Sequence, residues 1–258
     1  MRRAMTSTSR PRVRATATAV LLAGALGLSS APAQAAPSRG FDVDLGAAAA
    51  SAERLAGGSV LDDGAGGAGT LRTARGAAVT ARTVDGVPAL RLAQVCRTAL
   101  QSCPRALVEV AGSEDVDPGR SDFSLTAQVH LEPWHTSDGA NVVQKGWNWG
   151  GAGQYKLQVD GRAGKPSCVV VGTGTTKTYR AVARESVADG TWHELGCRRT
   201  GDRLEVLVDG EVQRSTAIPA RLSISNDSVV RIGAKGLGGL DVDQFPGHIG
   251  RVSVHVGA

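Results

Sequence analysis

The sequence predicts an all-β fold, a two-sheet antiparallel jelly-roll sandwich, and three observations carry that prediction. Residues 189–210, Asp-Gly-Thr-Trp-His-Glu-Leu-Gly-Cys-Arg-Arg-Thr-Gly-Asp-Arg-Leu-Glu-Val-Leu-Val-Asp-Gly, alternate apolar and polar positions in two arms between Gly-containing bends. That is the period of a hairpin, not of a helix. Turn clusters recur at short intervals, at Val84-Asp-Gly86, Asp117-Pro-Gly119, Asp160-Gly161, Asp189-Gly190, Thr200-Gly201, Asp209-Gly210 and Ser225-Asn-Asp227. No convincing helix separates them to carry a parallel crossover, so a dozen or so short strands are left to pair antiparallel.

The chain opens on a secretory signal. Arg2, Arg3, Arg10, Arg12 and Arg14 precede the apolar run 17–28, and Ala31-Pro-Ala33-Gln-Ala35 follows as a small-residue cleavage site, so residues 1–35 are read as a signal peptide cleaved near Ala35. The Arg2-Arg3 pair lacks the apolar residues that should follow it on a twin-arginine route, which favours general secretion. No later segment approaches the roughly 20 apolar residues of a membrane span, and the mature protein is expected to be secreted, extracellular and soluble.

Removing the signal alters the charge argument. The full chain carries 29 basic and 24 acidic residues, but five of the arginines fall within residues 1–35, which hold no acid, leaving 24 of each sign. A nucleic-acid partner requires a basic excess to displace counterions, so that class is excluded.

Residues 36–75 are expected to form a lead-in or linker, because Ala47-Ala-Ala-Ala50 and Gly64-Ala-Gly-Gly-Ala-Gly69 offer little bulk to pack. Within it, Phe41-Asp-Val43-Asp-Leu45 alternates like a strand and could serve as an edge. The sandwich proper is assigned to residues 76–258. Strands are predicted at 78–84, 89–92, 106–110, 123–131, 141–145, 154–159, 168–171, 178–185, 191–197, 204–208, 212–216, 229–232 and 249–256.

Four cysteines, Cys96, Cys103, Cys168 and Cys197, suit an oxidising compartment. Three pairings are open. Cys96 with Cys103 and Cys168 with Cys197 are favoured because each staples neighbouring elements, and the longer bridge is worth roughly 3 kcal/mol or a little more. A four-thiolate zinc site is disfavoured by the lack of any C-x-x-C pair.

Taken together, Asp122-Phe-Ser-Leu125, Asn141-Val-Val-Gln-Lys145-Gly146, Gln154-Tyr-Lys-Leu157, Asp189-Gly-Thr-Trp192-His193, Leu204-Glu-Val-Leu-Val-Asp209-Gly210, Val230-Arg-Ile232-Gly233 and Phe245-Pro-Gly247-His-Ile249-Gly-Arg-Val252 resemble the laminin-G-like domains of the concanavalin A-like lectin and glucanase superfamily. Their order carries the resemblance, since no single piece is specific. The resemblance implies a two-sheet jelly roll, often calcium-dependent, that binds glycans or proteins through loops at one rim. Gly250 stands where the family usually has an acidic residue, so any role of that carboxylate is lost.

An enzyme is not expected. Glucan-hydrolysing relatives set acids along one strand as E-x-D-x-x-E, and that run is missing. Glu114-Asp-Val-Asp117 runs directly into Pro118-Gly119 and reads as a turn, and no G-x-S-x-G elbow occurs. His130 and Glu132 share a strand face and a metal could be imagined there, but surface polar residues share faces routinely. Trp192 and His193 read as anchors of the hairpin.

The ligand is expected at Lys145-Gly-Trp147-Asn148-Trp149-Gly-Gly-Ala-Gly153, where two aromatics stand close in a glycine-rich loop. Flat rings offer apolar surface to sugar C–H groups while Asn148 or Lys145 would satisfy hydroxyls. Trp134 is a weaker candidate. Calcium is a possible cofactor, with Asp243 and Asp241 in one loop and Asn226 and Asp227 in another as ligands. Asp243 is preferred because the resemblance places an acid just before the F-x-G closing motif. The expected function is a secreted, non-catalytic binding module for a glycan or cell-envelope polymer. A protein-adhesion module comes second and a glycoside hydrolase third, with the oligomeric state left open.

Overall fold

A computed structural model describes residues 39–48, 54–62, 67–92, 102–239 and 243–257. The signal-peptide assignment, Cys96 and Asp241 lie outside them. The chain enters as β1 (Arg39–Asp44), one helical turn (Leu45–Ala48), β2 (Arg54–Leu55), β3 (Val60–Asp62), β4 (Ala68–Ala74), β5 (Val79–Val84), β6 (Val87–Arg91) and β7 (Arg105–Val110). It continues with β8 (Phe123–His130), β9 (Gly139–Gly146), β10 (Ala152–Asp160), β11 (Lys165–Thr173) and β12 (Thr178–Val182). The remaining strands are β13 (Trp192–Thr200), β14 (Arg203–Val208), β15 (Glu211–Ala217), β16 (Val230–Ile232) and β17 (His248–Val256).

These strands form two antiparallel sheets. One runs β15-β14-β13-β8-β17-β6-β5-β2, with β1 also on β17, and the other runs β12-β11-β10-β9-β16-β7-β4-β3. Consecutive strands pair at β3-β4, β5-β6, β9-β10-β11-β12 and β13-β14-β15, and two-residue turns close the tightest of these hairpins. Asp85-Gly86 and Asp209-Gly210 each place two successive residues at positive φ, at 47° and 83° and at 52° and 80°. That is the backbone of a type I′ turn, whose twist matches the strands it joins.

The period-two pattern sorts side chains to the two faces as the sandwich requires. On β8, Phe123, Leu125, Ala127 and Val129 are buried, whereas Ser124, Thr126 and Gln128 turn outward. Tyr155, Leu157 and Val159 from β10 and Val252, Val254 and Val256 from β17 join them in one continuous core. Cys168 of β11 and Cys197 of β13 are bonded across the two sheets, with Cα atoms 4.9 Å apart. Cys103 is disulfide-bonded as well.

The lead-in expected at residues 36–75 is corrected by this topology. β1 pairs along its whole length with β17, β2 with β5, and β3 and β4 extend the second sheet through β7. Phe41, Val43, Leu45, Leu61 and Leu71 are core residues. The small residues there serve close packing: a Cβ on Gly46 would lie 2.1 Å from the Pro88 carbonyl oxygen, and one on Gly67 1.9 Å from that of Asp42. Glycine lets one backbone approach another, and composition alone made that look like slack. No helix among the described residues is long and apolar enough to cross a membrane.

Candidate binding loop at the β9–β10 turn

The loop between β9 and β10 is shaped by its glycines and closed by its backbone. Gly146, Gly150, Gly151 and Gly153 all have positive φ. The Trp147 amide donates to the Gly153 carbonyl at 3.1 Å, and the Gly174 amide donates to that of Gly151 at 2.8 Å. Gln144 and Gln154 both donate to the Gly146 carbonyl, at 2.8 and 3.4 Å. A loop held this way presents its side chains without having to order them on binding.

Of the two indoles, Trp149 is 62 % exposed. Trp147 is half-buried, with its ring centroid 5.8 Å from that of Trp149 and the planes tilted by 34°. The Arg231 guanidinium lies over Trp147 at 5.2 Å from the ring centroid, a cation–π contact that covers one of its faces. Arg231 is steered there by Glu109, 3.8 Å away, which also pairs with Arg72 at 2.9 Å. Trp147 therefore supports, and Trp149 together with the exposed Asn148 presents the surface. Nothing local pointed to Arg231, which reaches the loop from a strand about 80 residues further on.

Lys145 does not belong to that surface, and its expected contact with sugar hydroxyls is corrected. It is fully buried, pairing across the sheet with the core residue Tyr155. Its Nζ donates to Asp117 Oδ1 at 2.6 Å, to the Asn226 carbonyl and to Asn226 Oδ1 at 3.2 Å. A buried ammonium is tolerable only when so surrounded by oxygens. The trio ties the 225–228 loop to β9, and Asn226 Nδ2 extends the tie to the β9–β10 turn by donating to the Gly153 carbonyl at 3.3 Å. Tyr155 donates to the Val116 carbonyl at 3.0 Å, and burial, with the Asp117 charge second, holds its pKa well above the usual phenol value.

The expected calcium ligands are not brought together. Asn226 lies at the Gly146 end of β9, whereas the Asp243 carbonyl accepts from Asn141 at 2.8 Å near the opposite end. Asp243 already faces Lys235, with Nζ 3.3 Å from Oδ2, and Asn226 Oδ1 accepts from Lys145 and from the Ser228 amide. Asp227 is exposed. Calcium needs several convergent oxygens, and here ammonium groups hold the best of them. Among the described residues no three His, Cys, Asp or Glu side chains converge on a metal-sized position. The described residues of the two loops, Asp243, Asn226 and Asp227, do not together form a site for the ion.

Trp192 and His193 act on the fold. Trp192 Nε1 donates to the Val84 carbonyl at 2.9 Å, fastening the β5–β6 turn. His193 bridges two turns, with Nδ1 2.8 Å from Asp209 Oδ2 and Nε2 3.2 Å from Asp189 Oδ2. Desolvation opposes its charged form, but the hydrogen bonds and charges of Asp209 and Asp189 outweigh that and hold its pKa above the ordinary histidine value. Thr191 stands 3.1 Å from His193 Nε2, yet its hydroxyl donates to Asp189 at 2.8 Å and belongs to the turn. Trp134 is 64 % exposed, beside His135.

A family model described as the concanavalin A-like lectin/glucanases superfamily, of laminin G type, matches residues 107–258. No curated protein sequence matches the chain. Among solved structures, domain 4 of AbnA, an extracellular GH43 arabinanase from Geobacillus stearothermophilus, in complex with arabinotriose, is similar at a TM-score of 0.56 and 13% identity, over 85% of this chain and 94% of that one. The binding domain of Paraclostridial Mosquitocidal Protein 1 is similar at 0.54 and 11% identity, over 84% of this chain and 48% of that one. The binding domain of botulinum neurotoxin DC in complex with rat synaptotagmin II is similar at 0.51 and 8% identity, over 80% and 48%. The chain spans about half the length of the two toxin domains. Such identities establish a shared fold. With the family match covering more than half of its length, the chain belongs to the laminin-G-like domains of the concanavalin A-like lectin/glucanase superfamily.

Proposed function

We propose that this protein is a secreted, non-catalytic module that binds a glycan at the β9–β10 turn. The observation that carries the reading is Trp149, 62 % exposed on a loop whose backbone is already fixed and whose second indole is backed by Arg231. A large aromatic left in water at that cost fits a surface kept for the C–H face of a sugar, with Asn148 beside it for hydroxyls. The arabinotriose held by the AbnA domain makes an arabino-oligosaccharide the first probe. Secretion rests on the amino-terminal signal in the sequence.

The test is a glycan array probed with the full chain and with Trp149→Ala, with and without chelator. Wild type is expected to bind at least one neutral glycan, the variant to bind it about tenfold more weakly, a difference of about 1.4 kcal/mol, and chelator to change neither. Absence of binding to any glycan overturns the reading in favour of protein adhesion.

A further inference from the structure

A second polar surface lies at the other end of the sandwich, on the outward face of the other sheet. Opposed residues there form one lateral row across six strands: Arg54 with Thr80, Thr80 with Arg91, Arg91 with His248, His248 with His130, and His130 with Trp192. Their chain neighbours Val79, Leu90, Ile249 and Val129 are core residues, so strand alternation turns the row outward. Arg82 shares the face of Thr80, and the two line an open hollow of about 500 Å³ with Arg54, Ala81 and Thr83. His135 joins from the loop before β9, its Nε2 3.4 Å from Arg91 Nη2.

Basic side chains outnumber acidic ones in this row, with Arg54, Arg82 and Arg91 against Asp85. Arg54 and Arg82 form no ion pair among the described residues. Arg91 Nε and His130 Nδ1 are buried without a hydrogen-bond partner, and His130 as a whole is only 4 % exposed. The carboxylate that approaches is Asp85, itself largely in solvent and 3.8 Å from His130 Nε2. Burial, then the charges of Arg91, His130, Arg82 and His135, depress the His248 pKa to about 4. The reachable cations of the row are the exposed Arg54 and Arg82 and the partly exposed Arg91, with an open hollow beside them.

We propose that this row is a second binding site, specific for an acidic polysaccharide whose carboxylates are taken by Arg54, Arg82 and Arg91. Guanidinium groups accept carboxylates in a bidentate fork. Arg54 and Arg91 stand two strands apart, about 10 Å, too far for one small anion and suited to charges repeated along a polymer. The site is independent of Trp149: β8 and β9 are joined at His130 and Gly139, whereas the tryptophans follow the far end of β9, about 25 Å away by strand rise.

The experiment is affinity electrophoresis of the full chain through polygalacturonate, through neutral arabinan and beside vesicles of phosphatidylglycerol. Wild type is expected to be retarded by polygalacturonate, less so as salt rises. Arg54→Gln combined with Arg82→Gln, both exposed positions, is expected to weaken retardation about tenfold or more, while Trp149→Ala leaves it unchanged. An independent readout is the His248 ring by NMR, whose pKa is expected to rise when polygalacturonate is added, because a nearby anion favours the imidazolium. No retardation, equal retardation of the double variant, an unmoved His248 pKa, or capture by vesicles alone would each overturn the proposal. Loss of binding in Trp149→Ala would do the same, by assigning the polymer to the other loop.

Discussion

Replacing Lys145 by methionine separates a buried strut from a ligand contact. Methionine keeps most of the stem's volume and deletes the ammonium, leaving Asp117 Oδ1, the Asn226 carbonyl and Asn226 Oδ1 without their shared donor. Breaking a buried ion pair by removing one partner costs about 3–5 kcal/mol. Asp117 retains 19% side-chain exposure and a hydrogen bond from the Asn226 amide at 3.3 Å, which places the cost at the lower end, about 3 kcal/mol. For a domain of this size that is a fall in Tm of about 6–12 °C. The assay is thermal and urea unfolding of wild type, Lys145→Met, Asp117→Asn and the double variant. The double variant is expected to lose less than the sum of the singles, since neither charge is then left alone. A Lys145→Met protein within about 1 kcal/mol of wild type but with weakened glycan binding would refute the reasoning and return Lys145 to the binding surface.

Two further predictions concern the frame. Replacing Cys168 and Cys197 together by alanine releases a loop of 29 residues and is expected to cost about 3.5 kcal/mol, read as a lower urea midpoint under non-reducing conditions; an unchanged midpoint would show that the bridge restrains little. The His193 clamp should make stability depend on pH. Its folded pKa is raised, so its contribution is complete below the unfolded value of about 6.5 and is lost as pH rises through the folded value. Unfolding midpoints are therefore expected to fall on the alkaline side of neutrality in wild type and to fall less in His193→Ala. A rise over that window would contradict the assignment.

Much of the fold was legible because its signals are local. Every strand expected from residue 78 onward exists, and Asp85-Gly86 and Asp209-Gly210 adopt the turn that their residue types imply. The first strands were misjudged because Gly46 and Gly67 look like slack until the carbonyls of Pro88 and Asp42 are seen against them. Lys145 carried a usable signal: it shares strand parity with Val143, a core residue. The partner that makes burial tolerable, Asp117, lies 28 residues away behind a turn, and no local pattern joins the two.

Backbone preferences and period-two alternation act over a few residues, so the strands, the tight turns, the family and the paired tryptophans could all be read along the chain. Which charges are consumed and which are left over depends on the register of strands far apart in sequence. Burial selects that register across the whole sandwich at once. Only in the folded molecule does Lys145 disappear into its bonds with Asp117 and Asn226, Arg231 arrive to back Trp147, and Arg54, Arg91, His248 and His130 come into a single row.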